Sequence, residues 1–113
     1  MLPLNSGKTL AFGLPALARL VKAGPPPKKA KGTAVSVLVV APTRELALQT
    51  HETLEKLGTP LGIASVAVFG GVDKAPQVKA LKGRAQIVVG TPGRILDLAN
   101  DGVCDLSRCV YIF

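Results

Sequence analysis

The sequence predicts an α/β protein built on a doubly wound parallel sheet. Three observations predict it. Short, almost unbroken apolar runs recur at residues 35–41, 63–69, 85–90 and 109–113. The first three are followed by glycine, proline or threonine and then by a helical pattern. Buried parallel strands read as continuous apolar runs because both of their faces are covered. Strands alternating with helices imply parallel βαβ units with helices on both faces of the sheet and right-handed crossovers. In such sheets ligands collect beyond the carboxyl ends of the strands.

Taken in order, residues 10–22 read as a helix buried on most sides, with Pro15 as its kink or break. Residues 24–34 form a basic, Pro-rich surface loop. Pro25, Pro26 and Pro27 forbid helix, and Lys28, Lys29 and Lys31 keep the segment solvated or offer it to an anion. Val35–Ala41 is the first strand, stopped by Pro42, which has no N–H for a ladder. Thr43 is the expected N-cap of a helix running to about Leu57, with Glu45 in the first turn, where its charge suits the dipole. Leu46, Leu48, Leu54 and Leu57 supply its apolar stripe, His51 falls on its exposed face, and Gly58 is its stop.

Ile63–Phe69 is the second strand, ended by Gly70 and Gly71. A short helix over Ala75–Lys82 follows, with Pro76 in its first turn and Gly83 behind it. Ala85–Gly90 is the third strand. Thr91 is then expected to cap a helix that has Pro92 at its first position and runs to about Asn100. Cys109–Phe113 opens a fourth strand.

Each strand-to-helix junction therefore has the makings of an anion site. Helix starts present unpaired N–H groups and the positive end of the dipole, and Arg44 and Arg94 stand beside two of them. Those two arginines can bond phosphate, or brace the loops by pairing with carboxylates.

Composition agrees with one small domain. A chain of 113 residues with 48% apolar content can bury roughly 65% of its unfolded surface. The net charge of +7 points to an anionic partner. All seven acidic residues lie at or after Glu45. An acid-free start is also a transit-peptide trait, but the Gly7–Lys8–Thr9 signature inside it favours a folded site. No apolar run nears the roughly 18 residues that span a bilayer, and Met1–Leu–Pro–Leu4 lacks a basic n-region. Cys104 and Cys109 read as reduced thiols in a cytosolic or nuclear protein. Four aromatic residues are too few for a base-stacking platform, so any binding to nucleic acid is expected to be independent of sequence and sensitive to salt.

Four short motifs, in order, resemble those of the DEAD-box RNA helicases. Ser6–Gly7–Lys8–Thr9 resembles the end of the Walker A loop, and Pro42–Thr43–Arg44–Glu45–Leu46–Ala47 the PTRELA motif. Gly70–Gly71 resembles the glycine doublet, and Thr91–Pro92–Gly93–Arg94 the TPGR motif. The resemblance covers nearly all of residues 1–113 and implies a partial RecA-like P-loop domain, an ATP-binding domain reaching from the end of Walker A to just before the acidic motif. It implies ATP and Mg²⁺ as cofactors, with Ser6, Gly7, Lys8 and Thr9 at the phosphates and Thr9 on the metal. Leu2 stands where that loop needs Gly or Ala, and Asn5 where the family usually has Gly. It implies RNA contacts from Pro42, Thr43, Arg44, Gly70, Gly71, Thr91, Pro92, Gly93 and Arg94.

The Asp–Glu–Ala–Asp motif is due just after Phe113, so the chain reads as a lobe fragment that would not hydrolyse ATP alone, since phosphoryl transfer depends on positioned charge and metal. In a complete relative a second RecA-like domain is the partner. A nuclear or nucleolar setting in ribosome biogenesis, and no membrane partner, are implied. Two alternatives stand beside this reading: a non-hydrolytic RNA-binding module, and an incomplete domain whose unpaired sheet edges prevent stable folding.

Overall fold

The computed structural model describes residues 15, 17–22, 35–83, 85–104, 106, 109 and 111–112. Residues 17–22 are helical (α1). They are followed by β1 (Val37–Val40), α2 (Arg44–Gly58), a 3₁₀ turn (Thr59–Leu61) and β2 (Ser65–Val68). Then come α3 (Ala75–Lys82), β3 (Ile87–Gly90), α4 (Pro92–Asn100) and β4 (Tyr111–Ile112). The four strands make one sheet in the order β2-β3-β1-β4, parallel at every pairing.

Alternation along the strands builds two cores, one on each face. Val37 and Val39 of β1 and Ile87 and Val89 of β3 pack with Leu17 and Leu20 of α1 and Ala47 and Leu54 of α2. Leu38 and Val88 point the other way, to Leu81 of α3 and Ile95 and Leu98 of α4. Each such Leu or Ile contributes about 1.5–3 kcal/mol by leaving water. The strands look uniformly apolar because both faces are used, as a doubly wound sheet requires. Strand β2 lies at the sheet edge, and three of its four residues are only half-buried.

Several boundaries are tighter than the apolar runs suggested. Some flanking residues still bond across the sheet, as Ser36 N–H does to the Gln86 carbonyl (2.8 Å), but at the start of β2 the chain turns to other partners. Ile63 N–H donates to the Gly58 carbonyl (3.0 Å), and Ala64 N–H donates to the Gln86 side chain (3.1 Å). Helix α2 ends at Gly58 as expected, but not through a left-handed glycine. Gly58 keeps right-handed backbone (φ −85°, ψ −33°) and is buried, where an added Cβ would stand 3.0 Å from the Ile63 carbonyl. The 3₁₀ turn that follows closes at Gly62, whose φ of 75° only glycine adopts cheaply.

Leu48 is 39% exposed. The face that α2 buries centres on Ala47, Leu54 and Gly58, with Leu46 and Leu57 beside it. His51 is also displaced from its expected exposed position. Its ring faces the sheet edge, where Nδ1 lies 3.0 Å from Ser65 Oγ, while Nε2 lies 3.0 Å from Glu55 one turn on.

Cys104 is buried and Cys109 half-buried. Among the described residues, no helix is long and apolar enough to cross a membrane.

Candidate functional site

The three described motif loops sit side by side at the carboxyl end of the sheet. Pro42, Thr43 and Arg44 follow β1, Gly70 and Gly71 follow β2, and Thr91 to Arg94 follow β3. Strand pairing sets their spacing. Ala41 N–H donates to the Gly90 carbonyl (2.8 Å), and Thr91 N–H donates to the Val68 carbonyl (3.1 Å). The second bond is possible because residue 90 is glycine. A Cβ there would meet Val68 Cγ2 at 2.5 Å and the Val68 carbonyl at 2.7 Å. No real Cβ tolerates such distances.

Thr43 caps α2 as its residue type dictates. It is extended (φ −131°, ψ 158°), and Oγ1 accepts from Leu46 N–H (3.2 Å). Pro42, Thr43 and Arg44 are all exposed. Thr91 has the extended cap backbone, but its side chain makes no cap hydrogen bond. It enters α4 through its main chain, with Ile95 N–H donating to the Thr91 carbonyl (3.1 Å). Its hydroxyl is thus not committed to capping. Pro92 and Gly93 are exposed.

The glycines of this edge face open space. An added Cβ at Gly70, Gly71 or Gly93 would meet nothing within 4 Å. Gly71 is required by its backbone, at φ 83°. Gly70 and Gly93 have no such requirement, so no contact within the described fold demands glycine there. What their bareness provides is an exposed stretch of main chain with no side chain standing over it.

The two arginines differ. Arg44 is exposed, and its guanidinium carbon lies 5.3 Å from the centroid of the Phe69 ring. The Arg94 side chain is only 12% exposed. Nη1 donates to Gln77 Oε1 (3.1 Å) and Nη2 to the Val72 carbonyl (3.1 Å), with Asp97 3.9 Å from Nε. Its donors brace the loop that begins at Gly70.

Gln77 is the functional-site neighbour that sequence reading missed. It is 7% exposed. Nε2 donates to the Phe69 carbonyl (3.0 Å), while Oε1 accepts from Phe69 N–H (3.3 Å) and from Arg94. A signal was present: Gln77 stands four residues before Leu81, which puts both on the buried face of α3. Lys74, also missed, bonds Asp101 (2.6 Å) and Asp97 (3.1 Å) of the α4 turn. The Asp101 hydrogen bond, then that of Asp97, raises its pKa above the ordinary lysine value. Asp73 Oδ1 accepts from Ala75 N–H (3.2 Å) at the start of α3.

Ser6, Gly7, Lys8 and Thr9, with the loop at 24–34, lie outside the described residues. Among the described residues, no group of three His, Cys, Asp or Glu side chains is placed to hold a metal ion.

A family model for DEAD/DEAH box helicases matches residues 2–112. The chain belongs to the DEAD/DEAH box helicase family. The family's relatives agree with that assignment. The chain is 54% identical over 114 residues to ATP-dependent RNA helicase DBP3 of Mycosarcoma maydis, covering 96% of this chain and 20% of that protein. It is 48% identical over 108 residues to DEAD-box ATP-dependent RNA helicase 5 of Oryza sativa subsp. japonica, covering 96% and 21%. It thus spans about a fifth of the curated relatives it matches.

Among solved structures it is similar to the yeast DEAD-box splicing factor Prp28, with a TM-score of 0.87 and 26% identity over 97% of this chain and 26% of that one. It is similar also to a DEAD box protein from Methanococcus jannaschii, with a TM-score of 0.78 and 35% identity over 97% and 28%. Within the family the sheet is the partial RecA-like domain that the motifs implied.

Proposed function

We propose that this chain is the amino-terminal lobe segment of an ATP-dependent RNA helicase, and that its motif edge grips the RNA sugar–phosphate backbone. The observation that carries the reading is the bare glycine edge. Gly70, Gly71 and Gly93 leave main chain uncovered beside the exposed Arg44, at the starts of α2 and α4. Helix N-termini and an arginine attract phosphate of any sequence. Among the described residues no fully exposed aromatic side chain stands on these loops, which fits backbone contact better than base reading. The direct contacts fall to Pro42, Thr43, Arg44, Gly70, Gly71, Thr91, Pro92 and Gly93, with Arg94 holding the loops in place.

ATP and Mg²⁺ belong to Ser6–Thr9 on the strength of the sequence motif, with Lys8 at the phosphates and Thr9 at the metal. The 113 residues contain no Asp–Glu–Ala–Asp sequence, and the chain by itself supports no ATP turnover. In the whole protein a second RecA-like domain completes the site, and the setting is nuclear or nucleolar, in ribosome biogenesis.

The test is fluorescence anisotropy of a labelled single-stranded oligouridine titrated with the purified chain at several salt concentrations. Binding that weakens steeply between about 50 and 200 mM salt is expected. No binding at the lowest salt overturns the RNA reading. RNA-stimulated phosphate release that disappears in Lys8→Ala overturns the claim that the chain does not turn over ATP.

A further inference from the structure

Two buried glutamines hold the two ends of edge strand β2. Gln77 and Gln86 are each 7% exposed. At the start of the strand, Gln86 Oε1 takes Ala64 N–H (3.1 Å). At its end, Gln77 takes both the N–H and the carbonyl of Phe69. The need at Phe69 follows from the sheet. The Val68 carbonyl faces β3, where it takes Thr91 N–H, so the N–H and carbonyl of Phe69, next in the alternation, face the outer side of edge strand β2. No described strand lies on that side, and the side-chain amide of Gln77 stands in for one. Buried peptide groups left without such a partner are costly.

The consequence reaches the glycine doublet. Gly70 and Gly71 have no side chains of their own to fix them. Gln77 fixes the residue before them and Arg94, through the Val72 carbonyl, the residue after. The two clamps are joined, because Arg94 also donates to Gln77.

We infer that Gln77 is a positioning residue that sets the Gly70–Gly71 backbone in its RNA-accepting geometry and couples it to the Thr91–Arg94 loop. This rests on the RNA-backbone reading above. Gln77 touches no RNA itself. It acts by holding the N–H groups still before phosphate arrives, so that binding need not order them. Gln86 has the same burial and the same chemistry at the far end of the strand, and it has no such role.

The test compares Gln77→Met with Gln86→Met, both in the full 113-residue chain. Oligouridine affinity is measured at a temperature where circular dichroism shows each variant folded. Gln77→Met is expected to lose about tenfold in affinity with an unchanged salt slope, because no cation is removed. Gln86→Met is expected to stay within about twofold of the unsubstituted chain even where its Tm falls as far. Equal losses in the two variants, or no loss in Gln77→Met, overturn the inference and leave the RNA reading standing. Absence of binding by the unsubstituted chain overturns both. Should Gln77→Met not fold, backbone relaxation at Gly70 and Gly71 in the unsubstituted chain decides. Order parameters near the rigid value of about 0.85 are expected, and values below about 0.6 overturn the clamp.

Discussion

The Arg44 guanidinium lies over the Phe69 ring, 5.3 Å from its centroid. These residues follow β1 and β2, which are not neighbours: β3 lies between them. The contact therefore spans the end of β3 and ties the first motif loop to the second. Exposed cation–π pairs contribute about 0.5–1 kcal/mol, enough to orient a side chain but not to hold a fold. It leaves the guanidinium edge available to an anion.

Arg44→Ala should then weaken RNA binding and make its salt dependence shallower by about 0.7 in log–log slope, the share of one phosphate contact on a single strand. Stability should change by less than about 1 kcal/mol. Anisotropy at several salt concentrations, paired with urea unfolding, checks both. An unchanged slope would mean that Arg44 orients the loop without meeting phosphate.

Arg94→Met should show the opposite balance. Removing the guanidinium strips a donor from the buried Gln77 oxygen and another from the Val72 carbonyl. Stability should fall by about 1–3 kcal/mol, the net worth of hydrogen bonds from a charged donor, because the Gln77 oxygen keeps Phe69 N–H and the exposed Val72 carbonyl can turn to water. A shift in the urea midpoint reads this directly. A variant as stable as the parent would return Arg94 to the role of a direct RNA contact.

The contrast between these arginines shows where sequence reading reaches its limit. The four strands, helices α2 to α4 and the carboxyl-edge position of the three described motifs were legible, because Val-rich runs, Pro42, Gly70 and Pro92 are local signals. Which arginine braces and which stays exposed was not, because it depends on Gln77, seventeen residues from Arg94 in the chain. His51 misled for the same reason. Its place on α2 suggested solvent, but the partner that draws it in, Ser65, comes from the edge strand. Thr91 has the residue type and the backbone of a cap, yet its hydroxyl is not used as one. Propensity reports what a residue can do locally, and the tertiary fold selects among the options.

Lys74 gives a pH prediction. Its hydrogen bonds to Asp101 and Asp97 raise its pKa in the folded chain. A lysine with a raised folded pKa contributes stability that is complete below its unfolded pKa and is lost as pH rises through the folded one. The contribution should thus be constant across neutral pH and disappear on the alkaline side of the ordinary lysine value of 10.5. Thermal unfolding of the parent and of Lys74→Met should differ at pH 7 and converge well above pH 10.5. Curves that stay separated by the same amount would mean that the lysine stem, and not its charge, holds the α4 turn.

Gly90 and Gly93 give the sharpest separation of fold from function, because they lie three residues apart and face opposite demands. An alanine methyl at position 90 would collide with the Val68 backbone, which cannot move without breaking the β2–β3 pairing. Gly90→Ala should cost about 1–3 kcal/mol, as overpacking does. At position 93 the methyl would meet nothing within 4 Å, and the residue lies in the first turn of α4. Alanine there reduces the freedom of the unfolded chain and should stabilise by about 0.4–1 kcal/mol. Yet the same methyl stands over the edge where phosphate would approach, so Gly93→Ala should bind oligouridine more weakly while unfolding at a higher urea concentration. Gain of stability with loss of binding is the signature of a glycine kept for a ligand. A Gly93→Ala chain that gains stability and binds as before would place the RNA track elsewhere along the edge, nearer Gly70 and Arg44.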